Sequence, residues 1–362
     1  MTKAAELAKM GEVLDNSQIG GRRNIVINGA MQVAQRGDTT SVQSGYGGCD
    51  RFQFSSVGAA RVTLQQSTDV PSNQGFSNSQ RVDVTTADSS LAAGDFAQLR
   101  TRIEAQDLQH LKYGTSEAEK LTLQFWVKSS KTGTHIIELY HYDANYMSDQ
   151  TYTISSADTW QKVTVTFDGY QTTNFANDNG IGLGVQWWLL AGSTYSSGTL
   201  TSNTWHNTQA NRAVGQVNVM DSTDNNFYLT GVQLEVGSQA TPFEHLSVGE
   251  SLSLCQRYFQ KYSDNGSGSG YVANGNIQSQ RFYGIIRWTT TMRANPTVAG
   301  TGGDFAIQAS SHSASGFSID EQHNPTVDSV RLRTGSNSNY TNGQGALLKF
   351  GEAGSLTADS EL

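Results

Sequence analysis

The chain has 362 residues, a formal net charge of −8 and only 15% charged residues, against about 25% in an ordinary soluble domain. That length suffices for two or three domains with cores of their own, while the acidic balance argues against a nucleic-acid partner, because phosphate binding needs a concentrated positive field. No apolar run approaches the roughly 18 residues of a membrane helix, so no membrane insertion is expected, and 37 Gly, 4 Pro and 2 Cys suit a turn-rich β protein made in a reducing compartment, without a disulfide framework.

Residues 3–15 read as a short amphipathic helix, with Ala4, Leu7, Ala8, Gly11 and Leu14 on one face. Met1–Leu14 alternates charge with alanine instead of forming the apolar core of a signal peptide, so no secretion leader is expected. A helix this short is marginal by itself in water, so it is expected to dock on a partner through Leu7, Gly11 and Leu14 before Gly20-Gly21 breaks the pattern.

From Asn24 onward the apolar period becomes two. Leu121, Leu123, Phe125 and Val127 alternate with Thr122, Gln124, Trp126 and Lys128; Val163, Val165 and Phe167 alternate with polar residues. Ile181, Leu183, Val185, Trp187 and Leu189 share one face, as do Tyr228, Thr230, Val232, Leu234 and Val236. Further strand candidates lie at 24–34, 50–56, 60–66, 80–85, 97–104, 135–142 and 214–220. About ten short strands between Gly/Asn/Asp/Ser turns predict an all-β fold, a jelly-roll β-sandwich. Ser247 and Glu250 then have the spacing of a capping box. They open a helix with the stripe Leu252, Cys255, Phe259 and Tyr262, ended by Ser263-Asp264-Asn265-Gly266. Strand-like segments resume near 280–290, 305–309, 329–333 and 346–350, predicting a smaller distal β-sandwich after the linking helix. The expected division is a docking arm at 1–20, a jelly roll at 21–248 and a linking helix with distal β domain at 249–362.

Catalytic signatures are few. There is no G-x-x-x-x-G-K-[ST], H-E-x-x-H or G-x-S-x-G, and no cofactor is expected. His135 and His141 share a strand face about 20 Å apart by strand rise, too far for one metal ion, and read as ordinary strand histidines. Asp221, Asp224, Asn225 and Asn226 crowd one loop with oxygen ligands that suit calcium but lack EF-hand spacing, so a metal there stays an open question. Glycan cleavage needs two acids roughly 5–9.5 Å apart. Glu138 and Asp143 are nameable candidates, but nothing raises them above solvent-facing charges, so no catalytic residue and no enzyme activity is expected. Trp126, Trp160 and Trp187 sit in alternating strands and should pack. Trp188, Tyr195 and Trp205, in or beside the polar stretch 191–212, are the candidates for stacking on a sugar; covering a sheet edge or a subunit contact is the alternative.

Several strings then resemble a known family. Gly20–Gly37, reading GGRRNIVINGAMQVAQRG, closely resembles the start of many phage tail-fibre-like proteins, where it precedes a carbohydrate-binding-module-like jelly roll. Asp50-Arg51-Phe52 looks like the beginning of the next strand in that family. Tyr228–Gly237 with Ala240–His245 looks like its closing strand, and Glu250–Tyr262, containing Cys-Gln-Arg-Tyr-Phe, resembles the helix that follows. Met292–Val298 and Leu356–Leu362 are similar to the distal domain. The resemblance implies a virion structural protein, a tail fibre or receptor-binding subunit, synthesised in the host cytoplasm and assembled as a homotrimer. Its implied partners are other virion proteins through the N-terminal arm and host-surface glycan at the β domains. A head fibre or capsid decoration protein is the alternative, and a glycan-cleaving fibre a more distant one.

Overall fold

The computed structural model describes residues 22–263, 270–300, 305–309, 313–317, 319–323, 325–351 and 354–362, together with Lys3. The expected docking contacts Leu7, Gly11 and Leu14 lie outside the described residues, as does Gly20-Gly21. The chain divides into two compact units, residues 1–251 with Leu362 and residues 252–361.

The first unit contains β1 (Thr39–Val42), β2 (Ser44–Tyr46), β3 (Gln53–Val57), β4 (Arg61–Ser67), β5 (Ser79–Thr86) and β6 (Phe96–Glu104). These are followed by β7 (Leu121–Ser129), β8 (Gly133–His141), β9 (Tyr146–Ile154), β10 (Gln161–Phe167), β11 (Ile181–Ala191) and β12 (Asn226–Val236). They form two six-stranded sheets, ordered β1-β4-β5-β12-β7-β10 and β2-β3-β6-β11-β8-β9. The chain passes repeatedly from one sheet to the other, as a jelly-roll β-sandwich requires. Period-two alternation turns one face of each sheet inward. Leu121, Leu123, Phe125 and Val127 meet Leu183, Val185, Trp187 and Leu189 in one core. Trp187 meets Phe125 edge-on at 5.6 Å between ring centroids. Each such buried side chain stabilises the fold by roughly 1.5–3 kcal/mol before ordering costs.

Two expected strands are absent, for identifiable reasons. Residues 24–34 form an irregular buried segment in which Asn28 and Met31 adopt φ of 60° and 57°. The Asn28 amide donates to the carbonyls of Val33 and Asp50, each at 2.9 Å, and accepts from Val33 N at 3.0 Å. These local bonds satisfy the backbone without a ladder. Gly29 is required here, because a Cβ would stand 2.0 Å from the Val232 carbonyl oxygen. Residues 214–220 also contain no strand; Asn218 caps a short 3₁₀ turn at Val219–Asp221 by accepting from Met220 N at 2.8 Å. Conversely, β9 was not anticipated, since its Ser, Asp, Gln and Thr residues blur the apolar alternation.

The capping box forms as the spacing predicts: Glu250 Oε2 accepts from Ser247 N at 2.9 Å, and Ser247 Oγ accepts from Glu250 N at 3.2 Å. The helix is shorter than expected, however, covering Val248–Gln256. Phe259 and Tyr262 belong instead to β13 (Phe259–Ser263), which pairs antiparallel with the last strand of the chain. The Gln260 side chain helps fix that choice, donating to Thr290 O at 2.7 Å and accepting from Thr289 N at 2.9 Å.

The second unit continues with β14 (Tyr271–Gln278), β15 (Arg281–Arg287), β16 (Thr297–Gly300), β17 (Phe305–Ala309) and β18 (Ser313–Phe317). It closes with β19 (Ile319–His323), β20 (Ser329–Thr334), β21 (Gly345–Phe350) and β22 (Ser355–Asp359). The sheets are β13-β22-β16 and β18-β17-β21-β14-β15-β20-β19, a smaller sandwich whose core includes Ile277, Phe282, Phe305, Leu332, Leu348 and Leu356. No helix among the described residues is long and apolar enough to cross a membrane.

Candidate functional site

The outer face of the sheet β2-β3-β6-β11-β8-β9 carries an uninterrupted polar row. Antiparallel register places Tyr46 beside Gln53, Gln53 beside Arg100, Arg100 beside Gln186, Gln186 beside Glu138 and Glu138 beside Asp149. Each strand contributes one side chain, so the row spans about 24 Å at the usual inter-strand spacing. The residues between these positions, such as Leu99, Val185 and Leu139, point into the core.

One end of the row is roofed. The connection between β11 and β12 folds back over the sheet, and His206 and Met147 exchange backbone hydrogen bonds at 2.7 and 2.8 Å. Arg212 from this connection grips Glu138 with two bonds of 2.7 Å and lies over the rings of Trp188, Tyr140 and Tyr195 at 5.1, 5.2 and 5.7 Å. Burial disfavours the guanidinium charge, but the Glu138 carboxylate outweighs burial and holds the Arg212 pKa above its ordinary value. Glu138 and Asp149 are fully buried acids on neighbouring strands. Burial first, and then the Glu138 charge, raise Asp149 well above the usual carboxylate range. His206 Nε2 meets Asp149 Oδ2 at 2.6 Å, while Nδ1 accepts from Thr208 N at 3.2 Å. That pattern puts the ring proton on Nε2, and burial lowers the ring's pKa.

The other end is less covered. Tyr46, Gln53 and Arg100 are partly exposed, with Arg102, Tyr140 and Tyr142 beside them. Arg100 Nε donates to the neutral Gln53 Oε1 at 2.8 Å. Burial and the neighbouring Arg102 pull the Arg100 pKa down to about 10. Arg102 lies 5.8 Å from the Tyr142 ring and its Nη1 donates to the main-chain oxygen of Leu362, the terminal residue grouped with the first unit. Its Nε is buried without a hydrogen-bond partner. Gln186 Nε2 donates to the Tyr142 hydroxyl at 3.3 Å, and Tyr140 and Tyr142 contact each other at 4.5 Å. Planar amides, guanidinium groups and tyrosines side by side can bracket sugar hydroxyls and ring faces.

The aromatic residues singled out in the sequence are only partly brought together. Trp188 is 1% exposed and packs with Ile136 and Ala213 under the roof; its ring has no face free for a sugar, which corrects that expectation. Tyr195 lies 5.4 Å from Trp188 and is partly exposed. Trp205 is elsewhere, at the rim of the main core against Tyr170, with its Nε1 donating to Asp168 O at 2.7 Å. Glu138 is buried beneath Arg212 rather than solvent-facing, while Asp143 Oδ2 accepts from Ala176 N at 3.0 Å. His135 and His141 are buried, and their Nε2 atoms each contact a backbone carbonyl oxygen at 3.2 Å. In the proposed calcium loop, Asp221 pairs with the Lys131 ammonium and accepts from Asn225 Nδ2 at 2.7 Å. A lysine therefore occupies the acid's side where a cation would sit. Among the described residues no three His, Cys, Asp or Glu side chains cluster as a metal site.

Sequence reasoning missed Arg100, Gln53 and Gln186. Their only local signal is a polar residue at every second position of a strand, which is what any solvent-facing strand shows. The outer face of the first sheet also bears charge and aromatics, but there Lys128 pairs with Asp69 and Arg81 Nη2 with Asp83 at 2.6 Å.

No protein-family model and no curated protein matches the chain. Among solved structures, it is similar to the enzymatically active domain of bacteriophage CBA120 tailspike protein 4, with 15% identity and a TM-score of 0.32 over 59% of this chain and 21% of that one. It is also similar to the family 11 carbohydrate-binding module of cellulosomal cellulase Lic26A-Cel5E of Clostridium thermocellum, at 12% identity and a TM-score of 0.28 over 56% of this chain and 97% of that one. TmCBM61 in complex with β-1,4-galactotriose gives 10% identity and a TM-score of 0.30, over 60% of this chain and all of that one. Similarity at this level leaves the functional question to the residues themselves.

Proposed function

We propose that the chain is a glycan-binding virion subunit, a tail fibre or receptor-binding protein that presents the outer face of its second sheet to the host surface. The observation that carries the binding part is the row Tyr46, Gln53, Arg100, Gln186, with Tyr142 beside it. Folding leaves these hydrogen-bonding side chains in register across four adjacent strands, where they can meet the hydroxyls of an extended saccharide. The virion part is supported by the resemblance of Gly20–Gly37 and the closing segments to tail-fibre-like proteins. In this reading the arm at 1–20 docks on the particle through Leu7, Gly11 and Leu14, the subunit assembles as a trimer, and Tyr195 adds an aromatic edge to the binding face.

The protein binds rather than cleaves. Glu138 is sealed by Arg212 and Asp143 is engaged with the backbone at Ala176, so these two acids do not flank an open groove. Binding is tested by measuring retention on polysaccharide purified from the host surface. The Gln53→Ala/Gln186→Ala double variant should lose most retention while keeping the far-ultraviolet circular dichroism of the parent; undiminished retention would sink the assignment of this face. Deleting residues 1–20 should abolish incorporation into purified particles, and normal copy number in the truncated form would refute the docking role.

A further inference from the structure

We propose that this face selects an acidic glycan, seating a carboxylate or phosphate oxyanion on Arg100; the inference rests on the glycan-binding reading above. Arg100 is a mostly covered guanidinium whose hydrogen bond goes to a neutral amide, Gln53 Oε1 at 2.8 Å. No salt bridge joins it to an acid among the described residues. Holding a desolvated cation without an opposite charge is costly, and groups held at such a cost cluster at functional sites. Arg102, two positions along the same strand and therefore on the same face, is engaged instead: its Nη1 donates to the Leu362 main-chain oxygen, which also accepts from the Tyr46 hydroxyl at 3.1 Å.

The acids on this face do not cancel that charge. Glu138 is neutralised by the two bonds from Arg212, and Asp149 is buried with His206 Nε2 at 2.6 Å from its Oδ2. What remains beside Gln53 is the Arg100 charge, on a chain whose overall charge is −8. The overall charge acts weakly at such a site, since it is screened over about 8–10 Å at ordinary ionic strength. A planar guanidinium fork matches the two oxygens of a carboxylate or phosphate. Gln53 and Gln186 flank it on both sides and would take the hydroxyls of the same sugar unit.

The test uses the full chain and four immobilised polymers: polygalacturonate, its carboxyl-reduced neutral form, poly(glycerol phosphate) and host-surface polysaccharide. The expected result is retention on at least one of the two acidic polymers, little on the reduced polymer, and affinity at least about tenfold weaker in Arg100→Gln. The two acidic polymers distinguish a carboxylate from a phosphate ligand. Equal affinity for polygalacturonate and its reduced form, or acidic binding unaffected by Arg100→Gln, overturns the acidic preference and leaves the glycan-binding reading intact. Retention on none of the four overturns both. Because Arg100→Gln removes an unpaired cation, its melting temperature should not fall; Arg100→Lys, which keeps the charge but not the fork, should retain only part of the affinity.

Discussion

Two arginines on one sheet face have opposite circumstances. Arg212 is covered by Trp188, Tyr140 and Tyr195 and answers a buried carboxylate with two short bonds. Arg100, one strand beyond Gln186 from Glu138, has a neutral amide as its partner. The first arginine is structural, because its charge is satisfied within the fold. The second carries unsatisfied charge toward the more exposed end of the row. The difference teaches that a site is marked less by the presence of charge than by charge the fold leaves unanswered.

The largest effects should come from breaking the satisfied pair. Glu138→Gln or Arg212→Met alone should cost about 3–5 kcal/mol, since each strands a buried partner. The double variant Glu138→Leu/Arg212→Met should recover much of that loss. Denaturant unfolding of all three checks this, and additive losses would show that the pair is not a closed unit. The inner face of the same sheet supplies the next effect. His135 stacks on Tyr152 at 5.3 Å, and burial lowers its pKa to about 4. A group with a depressed folded pKa contributes fully above its unfolded value of 6.5 and loses that contribution as pH falls toward about 4. The loss should approach about 3 kcal/mol. Melting temperatures measured from pH 7 to 4 should fall accordingly, and less steeply in His135→Gln.

Asp149 should behave with the opposite sign. Its raised pKa means that its contribution is present in acid and fades as pH climbs above the carboxylate range. Asp149→Asn preserves the acceptor for His206 and a donor toward Glu138 without an ionisable proton. Its stability should gain on that of the parent as pH rises from about 5 to about 9; a deficit that stays constant over that range would contradict the raised pKa of Asp149. The smallest effect belongs to the unanswered arginine. Arg100→Gln should change unfolding free energy by less than about 1 kcal/mol, or raise it. A loss as large as that of Arg212→Met would erase the distinction between the two ends.

Much of the fold was legible because its signals are local. Alternation at 121–127, 163–167 and 181–189 marks strands whatever their neighbours, and Ser247 with Glu250 marks a helix start from four consecutive residues. The errors come from contacts with parts of the chain that are distant in sequence. Residues 24–34 contain strand-forming Ile and Val, but Asn28 and Gly29 commit the backbone to bonds with Asp50 and Val232 that no periodicity displays. The linking helix stops early because Gln260 and its neighbours find partners in β22 and near Thr289, which are remote in sequence.

The sequence by itself determined the all-β class and the inward-facing residues of the strong strands, since these follow from residue type and a period of two. Only the tertiary structure decided which polar residues meet. Tyr46, Gln53, Arg100, Glu138, Asp149 and Gln186 are scattered over 141 positions and become a row through five strand registers. A shift of one residue in any register would turn that strand's member into the core. Trp188 was misjudged for the same reason: its place in an alternating strand names a face, but the return of residues 192–217 over that face is a matter of packing between distant parts of the chain.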